Sequence, residues 1–275
     1  MVESACCGME SKAGVFMGRK LLVSGNWKMN YTHLEAITTL QALDVRLNRS
    51  FLAKVDVSIH PPFTALRSVQ TVVEADDIPV ILGAQNCHFE DKGAYTGEVS
   101  PSMLAKLGVQ LVIVGHSERR TYFHETDDDI SRKLSAVLRN KMIPILCVGE
   151  SLAEREEGAT EAKLESQLRG ALAGIDRKSL SDLVVAYEPI WAIGTGRAAY
   201  PDDAEAACRH LRSVLSQLLG SELAEQIRLL YGGSVDPDNT AELVSNEDVD
   251  GVLVGGASLD PEKFAAIIKQ AASTG

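Results

Sequence analysis

Long apolar runs are missing from this chain. None approaches the roughly 18 residues that a membrane-spanning helix needs, so the sequence predicts no such helix. Positive charge is in short supply. Lys and Arg total 27 against 38 Asp and Glu, a net charge of −11, which argues against general attraction to nucleic acid or anionic membranes. An anionic substrate would have to meet a local positive field. The five cysteines, Cys6, Cys7, Cys87, Cys147 and Cys208, are odd in number and show neither CxxC nor zinc spacing. Free thiols in a reducing cytoplasm are expected. HExxH, an EF-hand loop and GxSxG are all absent, so neither a metal nor a serine elbow is indicated. The first 18 residues lack the apolar core of a secretory signal. They read as a loosely ordered extension ahead of one domain over residues 19–275, with Met17 as an alternative start.

Short β-branched and aliphatic runs begin at Leu21, Val55, Val80, Leu111, Ile143, Leu183, Ile227 and Val252. Most are nearly continuous, as strands covered on both faces should be. Helical spacing of apolar residues follows, as from Leu34 to Leu47, with Thr32 as its cap and Glu35 beyond it. Ala162 to Leu172 and Ala204 to Leu219 read the same way. Strand then helix, eight times, is the pattern of parallel α/β folds. With no second-domain boundary, a single-domain (β/α)8 TIM barrel is favoured over a doubly wound sheet.

In such a barrel the loops after the strands build the active site. Those segments collect the polar and glycine residues of the chain. Asn26 and Lys28 follow the first run, Gln85 the third, His116 and Glu118 the fourth, and Glu188 the sixth. Gly232-Gly233-Ser234 follows the seventh and Gly255-Gly256 the eighth. Glycine pairs there admit backbone N–H groups close to a phosphate, although either pair alone would serve as a plain turn. Gly194-Thr195-Gly196 lacks the third glycine of a dinucleotide fingerprint. Lys28 supplies a cation. Any one lysine is more often a solvated surface residue, and a lone histidine is more often structural than catalytic. His116 precedes Ser117-Glu118, which can open a helix, and a helix N-terminus favours neutral imidazole. Glu188 precedes Pro189, Trp191 and Ile193, an apolar cover that would strip water from a base. One carboxylate, one imidazole, one ammonium and a phosphate cradle suit proton abstraction beside a carbonyl.

Five segments carry a resemblance: Asn26-Trp27-Lys28-Met29-Asn30, Gly115-His116-Ser117-Glu118-Arg119-Arg120, the stretch from Ala186 through Glu188 to Gly196, Tyr231-Gly232-Gly233-Ser234 and Gly255-Gly256-Ala257-Ser258. Together they resemble the triosephosphate isomerase family, from about Lys20 to the C-terminus. That family is itself the standing example of a neutral histidine electrophile and of loop closure over a substrate. The resemblance implies cofactor-free interconversion of dihydroxyacetone phosphate and glyceraldehyde 3-phosphate, a step of glycolysis and gluconeogenesis. It implies Glu188 as base, His116 as neutral electrophile, and Lys28 with Asn26 holding the substrate. Gly194, Ser234, Gly255 and Gly256 would bind the phosphate, with Glu118 beside Lys28. Residues 189–199 would form a lid, latched by Tyr231 and Ser234, while Ile193 and Leu253 press on Glu188. The family is homodimeric, which implies that the loop from Gln85 to Ser100 docks into a partner subunit, with Thr96 reaching the neighbouring site.

The chain departs from the family pattern at Tyr31 and His124, where glycine is usual, and at Ala198-Ala199-Tyr200. Two other readings remain open at this stage. One is another phosphate-binding barrel enzyme such as a Schiff-base aldolase, although none of the eight runs carries the internal lysine that chemistry needs. The other is a non-catalytic binding protein on the same fold.

Overall fold

Each apolar run becomes a strand. They are β1 (Leu21–Asn26), β2 (Val55–His60), β3 (Ile81–Ala84), β4 (Leu111–Val114), β5 (Ile143–Val148), β6 (Val184–Tyr187), β7 (Arg228–Tyr231) and β8 (Gly251–Val254). The computed structural model describes residues 19–193 and 200–274. The proposed extension over 1–18 lies outside them, as do Gly194 and most of the lid. All pairings are parallel, and β8 returns to β1, closing an eight-stranded barrel. This is the (β/α)8 architecture expected from the alternation.

Alternation along each strand divides the core in two. Leu22, Leu111, Ile113, Ile145, Cys147, Val184, Ala186, Leu230 and Leu253 form one buried cluster, which fills the barrel as inward side chains do. The larger cluster joins the outward residues to the helices. Gly25 shows how tight this second layer is: a Cβ there would lie 2.9 Å from the Phe264 ring. Phe264 belongs to the closing helix Pro261–Thr274. The first helix, α1 (His33–Asp44), begins at the predicted cap. Thr32 accepts the Glu35 N–H while the Glu35 carboxylate accepts from the Thr32 backbone, satisfying donors that a helix start otherwise leaves open. Cys87, Cys147 and Cys208 are buried free thiols. Burial pushes the Cys87 thiol up to about 12, far from the range of a reactive thiolate. Among the described residues no helix is long and apolar enough to cross a membrane.

Two departures from the family pattern share a backbone explanation. Tyr31 and His124 have φ of 75° and 55°, the left-handed region where glycine is at home and a Cβ costs energy.

His60 ends β2 inside the barrel, fully buried. Its Nδ1–H donates to the Ala84 carbonyl at 3.1 Å, and its Nε2 accepts from Ser58 Oγ at 3.2 Å. The tautomer is assigned from these partners. Gly83 must lack a Cβ because the imidazole fills its place, 2.2 Å away. Burial lowers the pKa of His60 to about 4, against a slight upward pull from the Ala84 carbonyl. The sign of the linkage follows. Above pH 6.5 both folded and unfolded forms are neutral. Between 6.5 and 4 only the unfolded chain takes up the proton, so folding loses about 3 kcal/mol across that window. Denaturant titrations at pH 7 and pH 5 should show this slope in the parent and a shallower one in His60→Gln. Equal slopes would assign the loss to other groups.

Candidate active site

The carboxyl ends of the strands converge on a cavity of about 280 Å³, lined by Asn26, Lys28, His116, Glu188, Ile193, Gly232, Gly233, Ser234, Val235, Leu253, Gly255, Gly256 and Ala257. Small ligand sites are of this order. Of the residues expected to bind or react, all described ones line it. Gly194 lies outside the described residues.

Asn26 closes β1, and its Oδ1 accepts the N–H of Lys28 at 3.0 Å. That bond supports a left-handed turn at Lys28, whose φ is 51°. The Gln85 amide donates to the carbonyls of Lys28 and His60, both at 2.8 Å, pinning the loop from beneath. Lys28 Nζ then reaches Glu118 Oε1 at 2.7 Å. On the other side the ammonium lies against Gly255, where a Cβ would be 3.7 Å from Nζ. Lys28 is the one cation among the described lining residues. It is the kind of local positive charge that an anionic substrate would need in so acidic a chain.

His116 follows β4 and caps the short helix Ser117–Tyr122. Its Nδ1 accepts the Glu118 N–H at 3.2 Å, and its Nε2 lies 2.9 Å from Glu188 Oε1. The Ser117 N–H donates to Glu188 Oε2 at 2.8 Å. Glu188 is only 2% exposed. The burial is therefore present, but its effect on the carboxylate differs from the sequence-based expectation. Burial raises the pKa of Glu188, yet His116 and the Ser117 N–H outweigh it and hold the carboxylate below its ordinary value. The base is parked. For His116, burial lowers the pKa and the charge of Glu188 raises it, the latter prevailing while the two touch. A proton on Nδ1 would face the Glu118 N–H, however. The Glu118 N–H thus fits a neutral ring with its proton on Nε2, whereas the upward shift caused by Glu188 runs against the neutral imidazole expected from a helix start.

The glycines have steric causes. A Cβ on Gly232 would meet the Glu188 side chain at 3.1 Å, and one on Gly233 would meet the Tyr231 hydroxyl at 2.2 Å. Tyr231 ends β7, buried, against Tyr187 of β6. Ser234 is exposed at the cavity rim. Ile193 and Leu253 line the same cavity as Glu188. Thr96 and its neighbours over residues 91–98 are exposed on the single chain.

Two contributors escape a reading of the motifs. Ser117 holds Glu188 through its backbone N–H, and a backbone role leaves no residue signature beyond its place next to His116. Glu150 follows β5, is fully buried, and accepts from Tyr187 Oη at 3.0 Å and Trp191 Nε1 at 2.8 Å. Arg155 lies 4.4 Å over the Trp191 ring. Together they grip the 3-10 turn Ile190–Ala192 just after Glu188. Inspecting the end of β5, where Gly149-Glu150 stands, would have found it.

The family model for triosephosphate isomerase matches residues 21–271. The chain is 49% identical over 256 residues to the triosephosphate isomerase of Mycobacterium avium (strain 104), covering 93% of this chain and 98% of that protein. It is 51% identical over 257 residues to that of Corynebacterium glutamicum, covering 94% and 99%. With that of Nocardia farcinica it shares 50% over 252 residues, covering 91% and 96%. A closed parallel barrel, a carboxylate against an imidazole at its mouth, and matches along almost the whole length agree: the chain belongs to the triosephosphate isomerase family.

Proposed function

We propose that this chain interconverts dihydroxyacetone phosphate and glyceraldehyde 3-phosphate by proton transfer through an enediolate. The observation that carries the reading is the convergence of Glu188, His116 and Lys28 on one small cavity, in a chain of this family. The substrate phosphate sits against Ser234, Gly255 and Gly256, with Gly194 closing from the lid. Lys28 and Asn26 hold the reacting end. Glu188 leaves His116 and Ser117 and takes a proton from the carbon beside the carbonyl. Freed from those two partners, it keeps its burial, which raises its pKa toward that of a useful base. The electron pair of the broken C–H bond becomes the new C=C bond. The carbonyl oxygen takes the Nε2 proton of His116. The imidazole then recovers a proton from the neighbouring hydroxyl, and Glu188 returns its own to the adjacent carbon. No cofactor enters this balance. An enediolate phosphate in water can eliminate phosphate, so a lid over residues 189–199, latched by Tyr231 and Ser234, protects it. Ile193 and Leu253 bound the base on its apolar side.

The test is conversion of glyceraldehyde 3-phosphate by the purified protein, coupled to a dehydrogenase that consumes the product. A folded protein that leaves the substrate unchanged overturns the reading. Borohydride should trap no covalent adduct, since a trapped one would favour the aldolase alternative.

The working unit we propose is a homodimer in the cytoplasm. Tyr95 (44% exposed) and Met103 (57%), on and just after the loop, and Tyr122 (73%) and Phe123 (64%) beyond His116 leave apolar surface for a second copy. Thr96 then reaches the neighbour's site. Trimming the loop from Gln85 to Ser100 should give a monomer with little activity, as read by sedimentation and turnover. A fully active monomer would refute the assembly.

A further inference from the structure

We infer that Tyr31 is a positioning residue: its phenol braces the Lys28 loop against the turn after β8 and so sets the gap between cation and phosphate cradle. This rests on the substrate-binding roles proposed for Lys28, Gly255 and Gly256. The loop from Trp27 to Tyr31 holds two left-handed non-glycine residues, Lys28 and Tyr31. Each is a strained conformation that persists only when its surroundings over-determine it. The Asn30 amide donates to the Trp27 carbonyl at 2.7 Å, a tie within the loop. The Tyr31 ring packs edge-on to Trp27, with centroids 5.3 Å apart. Its hydroxyl donates to the backbone carbonyl of Leu259.

Leu259 ends the 3-10 turn Gly256–Leu259. That turn starts where the phosphate would sit, and Gly255 before it lies against the Lys28 side chain, 3.4 Å from Cε to the missing Cβ. Another tie between the two segments lies deeper, where Ser258 Oγ approaches the Asn26 carbonyl at 3.5 Å. Tyr31 therefore acts at the outer end, where Met29 is 95% exposed and gives no support. If the brace is lost, the turn and the ammonium can separate. The phosphate should then bind less well while the Glu188–His116 pair, across the cavity, is untouched.

Tyr31→Phe keeps the ring and deletes the bond to Leu259. Losing one hydrogen bond of ordinary strength should raise KM for glyceraldehyde 3-phosphate roughly three- to tenfold. The competitive inhibition constant of inorganic phosphate should rise by the same factor. The value of kcat should stay within about twofold of the parent. Tyr31→Gly relieves the left-handed backbone yet removes the brace, so it should lose at least as much phosphate affinity. A residue that served stability alone would not show this split. Measurements are made where sedimentation gives the same mass for parent and variants. A parent that neither turns over nor is inhibited by phosphate overturns the isomerase reading and this inference with it. An active, phosphate-inhibited parent with an indifferent Tyr31→Phe overturns this inference alone.

Discussion

Glu188→Gln should lower kcat by roughly two to four orders of magnitude, the range that a positioned general base supplies. The amide has nearly the shape of the carboxylate but cannot take a proton from carbon. KM should move little, because Glu188 is assigned no contact with the phosphate. The same variant should also be less stable. In the parked arrangement both neighbours of the carboxylate donate, His116 through Nε2–H and Ser117 through its N–H. A glutamine offers one oxygen for two donors, and its NH2 group must face the other. Leaving a buried donor without an acceptor costs about 1–3 kcal/mol. Turnover in the coupled assay and urea unfolding check the two halves separately. A variant within tenfold of the parent would place the base elsewhere.

Gly149→Ala carries the second large effect. A Cβ at this position would lie 1.8 Å from the carbonyl oxygen of Glu188 and 2.7 Å from its carbonyl carbon. Both are backbone atoms, so no side-chain rotation relieves the clash. The Glu188 N–H is bonded to the Val148 carbonyl at 2.8 Å, and the Gly149 N–H to Gln167 Oε1 at 2.8 Å. The Ile190 N–H is bonded to the Glu150 carbonyl at 3.1 Å, so the segments leaving β5 and β6 are tied on both sides of the intruding methyl, while Gln167, on the helix Thr160–Leu172, holds the Gly149 N–H. Relief requires moving residue 188, which is the proposed base. Overpacking of this kind should cost about 2–4 kcal/mol. The folded fraction should still show a reduced kcat, because the carboxylate is displaced. Urea midpoints, with turnover measured well below the transition, separate the two losses. Parental stability and turnover together would mean that this contact does not set the spacing of the two strands.

The architecture was legible because it is written in local pattern. Eight apolar runs separated by amphipathic stretches leave few ways to bury both faces of every strand, and closure into a barrel is one of them. Strand ends were less legible at β1, β2 and β3, where Ser24, Gly25, Asn26, His60, Gly83 and Ala84 carry the strands past their apolar runs. Polar and small residues hide a strand whose inner face points into a barrel mouth. The residues of the site were legible as types at strand ends, since chemistry there needs a carboxylate, an imidazole, a cation and glycines.

Contacts between distant segments were not legible. That Glu188 rests on His116 and Ser117 depends on β4 and β6 meeting across the barrel mouth, seventy-odd residues apart in the chain. Its lowered pKa follows from that meeting, and the residue taken alone would suggest the opposite shift. Glu150 gains its role from Tyr187 and Trp191, and Tyr31 from the carbonyl of Leu259, 228 positions away. The amino-acid order alone determined the fold and the chemical inventory, because periodicity and residue type are local properties. Only the tertiary structure decided which donors face the base, which proton His116 carries and which loops brace each other. Those depend on angles and separations that exist only once the barrel has closed.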